Sequence, residues 1–424
     1  MKTKEEKIKN NLRLFPITKT LGWDYLFFYA TNFLFLTQVK NIAASSVILI
    51  DSFYALFGIL MQIPATFIIE FLGRKKSIVL ANVLNAAYML VVLTSVNLFN
   101  LIVAEIFSSL AFAIKESAEP SLLNESIPAS KNKSKIFSRI NEKGMANWYI
   151  LNAITTVLAG FFYTINPYIP ISCALILNVI VAIISLKYTE PVDKKNSKTK
   201  RQVNQMKEIK EAFEFIFKSE RVKSLILCSA LVIGLVDVLH NYQVSLLEEL
   251  NVDPRIICTL LAIIGVVSGL ATKKQEEIHE AYRNKSLSVL LITIAASLII
   301  AGIFGIIAKT YIYVVLIIFI AFLGWNCSKA IFFALMERYL SNFANEEVDT
   351  KIFVARNFLA SIMSALVGLI ASFLLERMNT AYSMLILGII SLIVSILLIK
   401  YMKNRVGLKP SQYSKEEIKY DELK

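Results

Sequence analysis

The chain has 424 residues, 56% of them hydrophobic and only 18% charged, with a net charge of +13. Soluble domains run at about 45–50% apolar and about 25% charged residues, so this balance excludes an ordinary soluble globule and points to a membrane protein. The basic residues do not gather into one domain, which argues against nucleic acid as a partner. They recur in short bursts between apolar runs, the pattern of loops facing an anionic leaflet.

Residues 1–19 form a polar, basic arm, and no small-residue cleavage site follows the first apolar run, so no cleavable signal peptide is expected. Twelve apolar runs come next and predict helices at roughly 21–38, 45–70, 77–96, 99–124, 144–164, 168–188, 222–245, 255–272, 286–308, 311–336, 352–375 and 380–401. Runs such as 286–308 are too long for ordinary core helices. Their uniform apolarity is wrong for barrel strands, which alternate, so helices remain as the spanning element.

Charge placement supports the count. With the N-terminus in the cytoplasm, the inner segments hold 39 of the 45 Lys and Arg, while the outer loops hold only Lys40, Arg255, Lys309 and Arg377. Lys115 and Lys329 fall inside spans. That asymmetry predicts cytoplasmic N- and C-termini and a multi-pass protein of the cell (inner or plasma) membrane. Four cysteines (Cys173, Cys228, Cys258, Cys327) have no CxxC spacing and there are two histidines, so neither a disulfide frame nor a metal or cofactor site is readable.

Ionisable residues inside spans are rare and usually face a water-filled cavity or a partner. In span 1, Asp24 lies a turn from the inner end and Asn32 lies further out. Span 4 is the densest stretch: Glu105, Ser108, Phe112, Glu116 and Glu119 recur at helical spacing on one face, and Lys115 is four residues before Glu119. Pro120 removes a backbone hydrogen bond there. This face is expected to line a cavity, with one carboxylate carrying a proton. A Lys115–Glu119 ion pair that merely holds helices together is the structural alternative. In span 7, Asp237, His240 and Asn241 share a face; in span 10, Lys329 sits at the depth of Lys115. The two lysines favour an anionic or zwitterionic solute or neutralise local acids. Trp23, Trp148 and Trp325 are stacking candidates or packing anchors.

The longest polar interval, 189–221, begins Pro- and Lys-rich and ends with Ile209, Phe213, Ile216 and Phe217 on one stripe, which predicts an amphipathic helix on the inner membrane surface. It parts the chain into an N-terminal bundle (1–188) and a C-terminal bundle (222–401), followed by a cytoplasmic tail (402–424). The halves echo each other: "SKIFSR" at 134–139 matches "TKIFVAR" at 350–356, and Lys115 with Glu125 matches Lys329 with Glu337. Repeated six-helix halves enclose a midplane site suited to alternating access.

With twelve spans, a central linker and the basic loop "TFIIEFLGRKKSIVL" (66–80), the chain resembles the major facilitator superfamily of secondary transporters over essentially its whole length. Glu70, Gly73, Arg74 and Lys75 stand at matching positions of the family's loop motif, whereas Thr66 and Phe71 replace its first glycine and first arginine. The resemblance implies an all-α membrane protein of two six-helix pseudo-symmetric bundles, with these four residues in a gating loop. "SAEPSLLNES" is similar to span 4 of bacterial drug-efflux-type permeases, although Glu105 replaces an arginine and the span-5 antiporter signature is absent. The expectation is proton-coupled efflux of a small amphipathic molecule by a monomer whose partners are substrate, protons and the bilayer. An importer of an anionic or zwitterionic solute is the alternative. A membrane enzyme or receptor has no support, since no phosphate loop, HExxH or GxSxG is found.

Overall fold

The computed structural model describes residues 4–128, 132–191, 220–282, 285–308, 310–341 and 346–403. The amphipathic stripe expected at 209–217 and nearly all of the tail at 402–424 lie outside them. Every regular element among the described residues is helical: α1 (Lys4–Gly22), α2 (Asn32–Leu34), α3 (Ala44–Leu60), α4 (Gln62–Leu72), α5 (Arg74–Thr94), α6 (Leu98–Ser126), α7 (Lys133–Ile165), α8 (Tyr168–Ser185), α9 (Glu220–Glu249), α10 (Pro254–Ala271), α11 (Gln275–Tyr282), α12 (Ser286–Ala308), α13 (Val315–Ser341), α14 (Glu346–Arg377) and α15 (Thr380–Lys403). Ten long helices are apolar enough to span a bilayer, and α3 with α4, bent by 51°, makes an eleventh. The remaining span is the first, which is broken. The architecture fits twelve spans in two bundles.

That break departs from the continuous helix expected over 21–38. α1 ends at Gly22, residues 23–31 run in turns, and helical geometry resumes as α2 and a π turn at Phe35–Val39. The causes are side chains that outbid the helix for backbone groups. The Asp24 carboxylate accepts from the Tyr25 N–H at 2.8 Å, and Lys115 of α6 donates to the Gly22 carbonyl. Phe27 adopts φ 67° and its ring stacks on Phe162, centroids 5.9 Å apart. Tyr25 and Phe28 turn inward against Tyr88.

The chain divides into two compact units, Met1–Lys200 with Asp253–Ala262, and Arg201–Val252 with Ile263–Lys424. In the first, α5 packs on α6 and α8, and α1 on α7. In the second, α12 packs on α13 and α15, and α9 on α14. Counted as spans, the pairs 3–4, 3–6 and 1–5 recur as 9–10, 9–12 and 7–11, so the repeat seen in sequence is also a repeat of packing.

Membrane helices gain little from burying more apolar surface and pack instead through small and polar residues. α8 follows this rule: Ile176, Ile180 and Ile183 are exposed along one face, while Ala174, Asn178 and Ser185 are buried along the other. Asn82 of α5 donates to Ser185 at 3.0 Å. In the second unit Gly302 of α12 lies so close to α15 that an added Cβ would sit 2.6 Å from the Leu385 backbone nitrogen.

Backbone cannot yield as a side chain can. Gly302→Ala is therefore expected to cost about 1–3 kcal/mol. Gly265→Ala, whose Cβ would meet nothing within 4 Å, is expected to be neutral or gain up to about 1 kcal/mol. Thermal unfolding of the purified variants in one detergent checks the opposite signs.

Candidate functional site

One end of the first unit carries a network of charges built on α1, its break and the C-terminal half of α6. Lys19 donates to the Glu119 carboxylate at 3.1 Å, both side chains nearly sealed, and its ammonium lies 3.5 Å from the centre of the Trp23 ring. Lys115, buried, donates to the Gly22 carbonyl, with Glu119 and Asp24 within electrostatic range. The direct Lys115–Glu119 pair weighed from the i,i+4 spacing is thus replaced by two longer-range contacts. The last turn of α1 presents its carbonyls toward Lys115, where a cation is favoured. Glu119 in turn is left for Lys19. Pro120 is carried within the continuous α6.

Further out, the same face of α6 turns inward. Glu105 is buried and accepts from the Tyr88 hydroxyl at 3.0 Å. The Tyr25 hydroxyl donates to Asn85 at 2.9 Å and lies 3.0 Å from Ser108, and its ring meets Phe112 edge-on. Of the span-4 acids only Glu116 is exposed. The stripe expected to line a cavity along most of its length is therefore mostly internal packing with one open carboxylate. Asn32 is half-buried, and its side-chain oxygen is buried without a hydrogen-bond partner.

The second unit brings Asp237 of α9 and Lys329 of α13 within electrostatic range of each other. Asp237 is exposed and hydrogen-bonded to Ser364; Lys329 is half-buried, donates to Asn326 at 3.1 Å and lies 4.6 Å from the centre of the Trp325 ring. Both residues stand about twelve residues, ~18 Å, or more from either end of their helices. His240 is half-buried and Asn241 buried on the same helix as Asp237. Two opposite charges at mid-span, neither sealed by protein, can exchange partners with a proton or a charged solute.

The loop after α4 is organised by Glu190, which sequence reading did not single out, and by Glu125, noted there only as part of the repeat. Gly73 takes φ 84°, a conformation that suits a residue without Cβ. The Glu190 carboxylate accepts from the backbone N–H groups of Arg74 and Lys75 at 3.1 and 2.8 Å, capping the positive end of α5. Arg74 pairs with Glu125. Glu70, expected as part of the gating loop, is exposed. Arg356, buried in α14 and donating to Ser229 at 2.7 Å, was also unflagged; its place in the repeated "TKIFVAR" was the available signal.

Two loop groups shift for local reasons. Arg255 holds the Asp253 carboxyl down at about 2 by donating to it from both Nε and its terminal nitrogen, at 2.9 and 2.8 Å. Burial pulls the Lys40 ammonium below its ordinary value, although it donates to the Leu93 and Ser95 carbonyls at 2.7 and 2.9 Å, tying off the end of α5.

The sequence pattern described as Major Facilitator Superfamily matches residues 20–275. Solved structures of similar fold include the nucleoside transporter NupG (11% identity, TM-score 0.71, covering 93% of this chain and 99% of that one). A bacterial homolog of the human lysosomal transporter Spinster, inward-facing and unoccupied, is similar as well (13%, 0.69, 97% and 100%). So is a D-xylose-proton symporter (12%, 0.66, 96% and 98%). At such identities the likeness is one of fold. No curated protein matches the sequence.

Removing one partner of a buried ion pair leaves an uncompensated charge, worth about 3–5 kcal/mol. Glu119→Gln is expected to lose that order of stability, whereas Glu116→Gln, at an exposed position, should change it by no more than about 0.5 kcal/mol. Equal thermal shifts for the two variants would contradict the assignment of Glu119 as a structural acid.

Proposed function

The chain belongs to the major facilitator superfamily and is a multi-pass membrane transporter; from that premise we propose that it couples proton movement to the efflux of a small amphipathic molecule by alternating access. The observation that carries this reading is the Asp237–Lys329 pair, opposite charges held at mid-span with the carboxylate open. Loading a proton on Asp237 frees the Lys329 ammonium from its counter-ion, and unloading restores the pair. Glu116, the open acid of α6, is the second proton candidate. Glu105, Lys115, Glu119 and Asp24 position α1, α5 and α6 around it; His240 and Asn241 are polar solute candidates in the second unit, and Asn32 is one in the first.

The bundles at 1–188 and 222–401 are the two moving bodies, and the linker between them is cytoplasmic, as are both termini, following the Lys/Arg bias. Gly73, Arg74 and Lys75, with Glu70 at the edge of the loop, gate the inner side. The protein acts as a monomer in the cell membrane. The opposite charges of Lys329 and Asp237, within electrostatic range of each other, also favour a second reading, import of an anionic or zwitterionic solute.

Reconstituted protein under an imposed pH gradient, offered labelled amphipathic cations, nucleosides and amino acids, separates the readings by which compound moves and in which direction. Gradient-driven accumulation is expected in the wild type. It is expected to fall to background in Asp237→Asn while solute exchange persists. Movement indifferent to the gradient would defeat proton coupling, and full coupling in Asp237→Asn would transfer the proton to Glu116.

A further inference from the structure

A cleft of 820 Å³ opens in the first unit between α1 and α7. Its volume falls in the range of about 300–1,000 Å³ typical of small-molecule sites. Each helix contributes one face: Arg13, Ile17 and Leu21 step by four along α1, and Arg139, Ile140 and Lys143 fall together on α7. No carboxylate is among its lining residues. Arg13, Arg139 and Lys143 are exposed. Both helices run outward from the same side of the bundle. Arg13 and Arg139 stand nearest the mouth, whereas Lys143 lies one turn deeper on α7, beside Gly144, whose carbonyl accepts from Thr20 at 3.3 Å. The long Lys143 stem spans the one turn back to Arg139, so the cleft joins a cluster of three cations to the apolar Ile17, Leu21 and Ile140.

We infer that this cleft binds an anionic phospholipid, with its phosphate among Arg13, Arg139 and Lys143 and an acyl chain along Ile17, Leu21 and Ile140. Guanidinium groups match phosphate oxygens in bidentate geometry, and Lys143 adds a point charge. A free inorganic anion uses the cations but leaves the apolar wall uncovered; a zwitterionic lipid covers the wall but brings its own cation to the mouth. Only an anionic lipid satisfies both halves of the cleft. The site is separate from Asp237 and Lys329 and does not depend on what the protein transports.

The test reads tryptophan quenching. Trp148 follows Asn147, a lining residue, and Trp23 is two positions beyond Leu21. In a Trp325→Phe background, brominated phosphatidylglycerol is expected to quench at about tenfold lower mole fraction than brominated phosphatidylcholine, since each basic residue near an anionic surface contributes several-fold. Arg13→Gln/Arg139→Gln/Lys143→Gln, checked for monodisperse elution, should bring the two lipids level. Lys76→Gln/Lys187→Gln/Lys273→Gln, which removes three exposed charges elsewhere, should retain the preference. Equal quenching by both lipids in the parent protein overturns the inference. So does an equal loss in the two triple variants, which would mean general surface attraction. Complete relief of quenching by millimolar glycerol phosphate overturns it too, since that identifies a site for a soluble anion.

Discussion

Backbone groups inside a bilayer have no water to turn to, and an unmet one costs several kcal/mol. The break after Gly22 opens the first span, and the Lys115 ammonium meets the exposed carbonyl. Much else in the first unit follows from that bond. Lys115 is taken up by backbone, so Glu119 turns to Lys19. Lys19 presses its stem against Gly144, where a Cβ would stand 2.8 Å away, so α1 and α7 can touch. Freed from the helix, Tyr25 swings onto Asn85, Ser108 and Tyr88 and ties spans 1, 3 and 4 together.

The two units share a packing plan but not a chemistry. Spans pair in the same order in each, yet the lysines at matching depth have different partners. Lys115 is spent on a carbonyl. Lys329 has an amide, an indole face and an open carboxylate around it. Duplication supplies two equivalent scaffolds, and the proposed proton site belongs to the one whose charge was not consumed by folding. Close helix contact at Gly302 and Gly388 in the second unit is made possible by small residues.

The spans, their number and the halves were legible because each depends on a local quantity, the length of an apolar run or the side on which lysines fall. Gly73 was legible as a position of the loop motif between two apolar runs. The break in span 1 was not: its residues read as one apolar run, and the group that stabilises it lies 93 residues away. Glu190 was missed similarly, since it caps a helix whose N-terminal residues stand 116 and 115 positions before it. Helical spacing correctly put Glu105, Ser108 and Glu119 on one face, but periodicity does not say whether a polar face looks at water or at a neighbouring tyrosine.

The distance from Gly22 to Lys115 also sets an order of events. The first span reaches the membrane before the lysine that holds its break, which emerges from the ribosome roughly 5–20 s later at ordinary synthesis rates. Until then the segment at 23–31 has every reason to remain a plain helix, as its apolar sequence suggests. The native turn is therefore made after insertion, when span 4 arrives, and the first part of the chain to be synthesised is among the last in its unit to take final form.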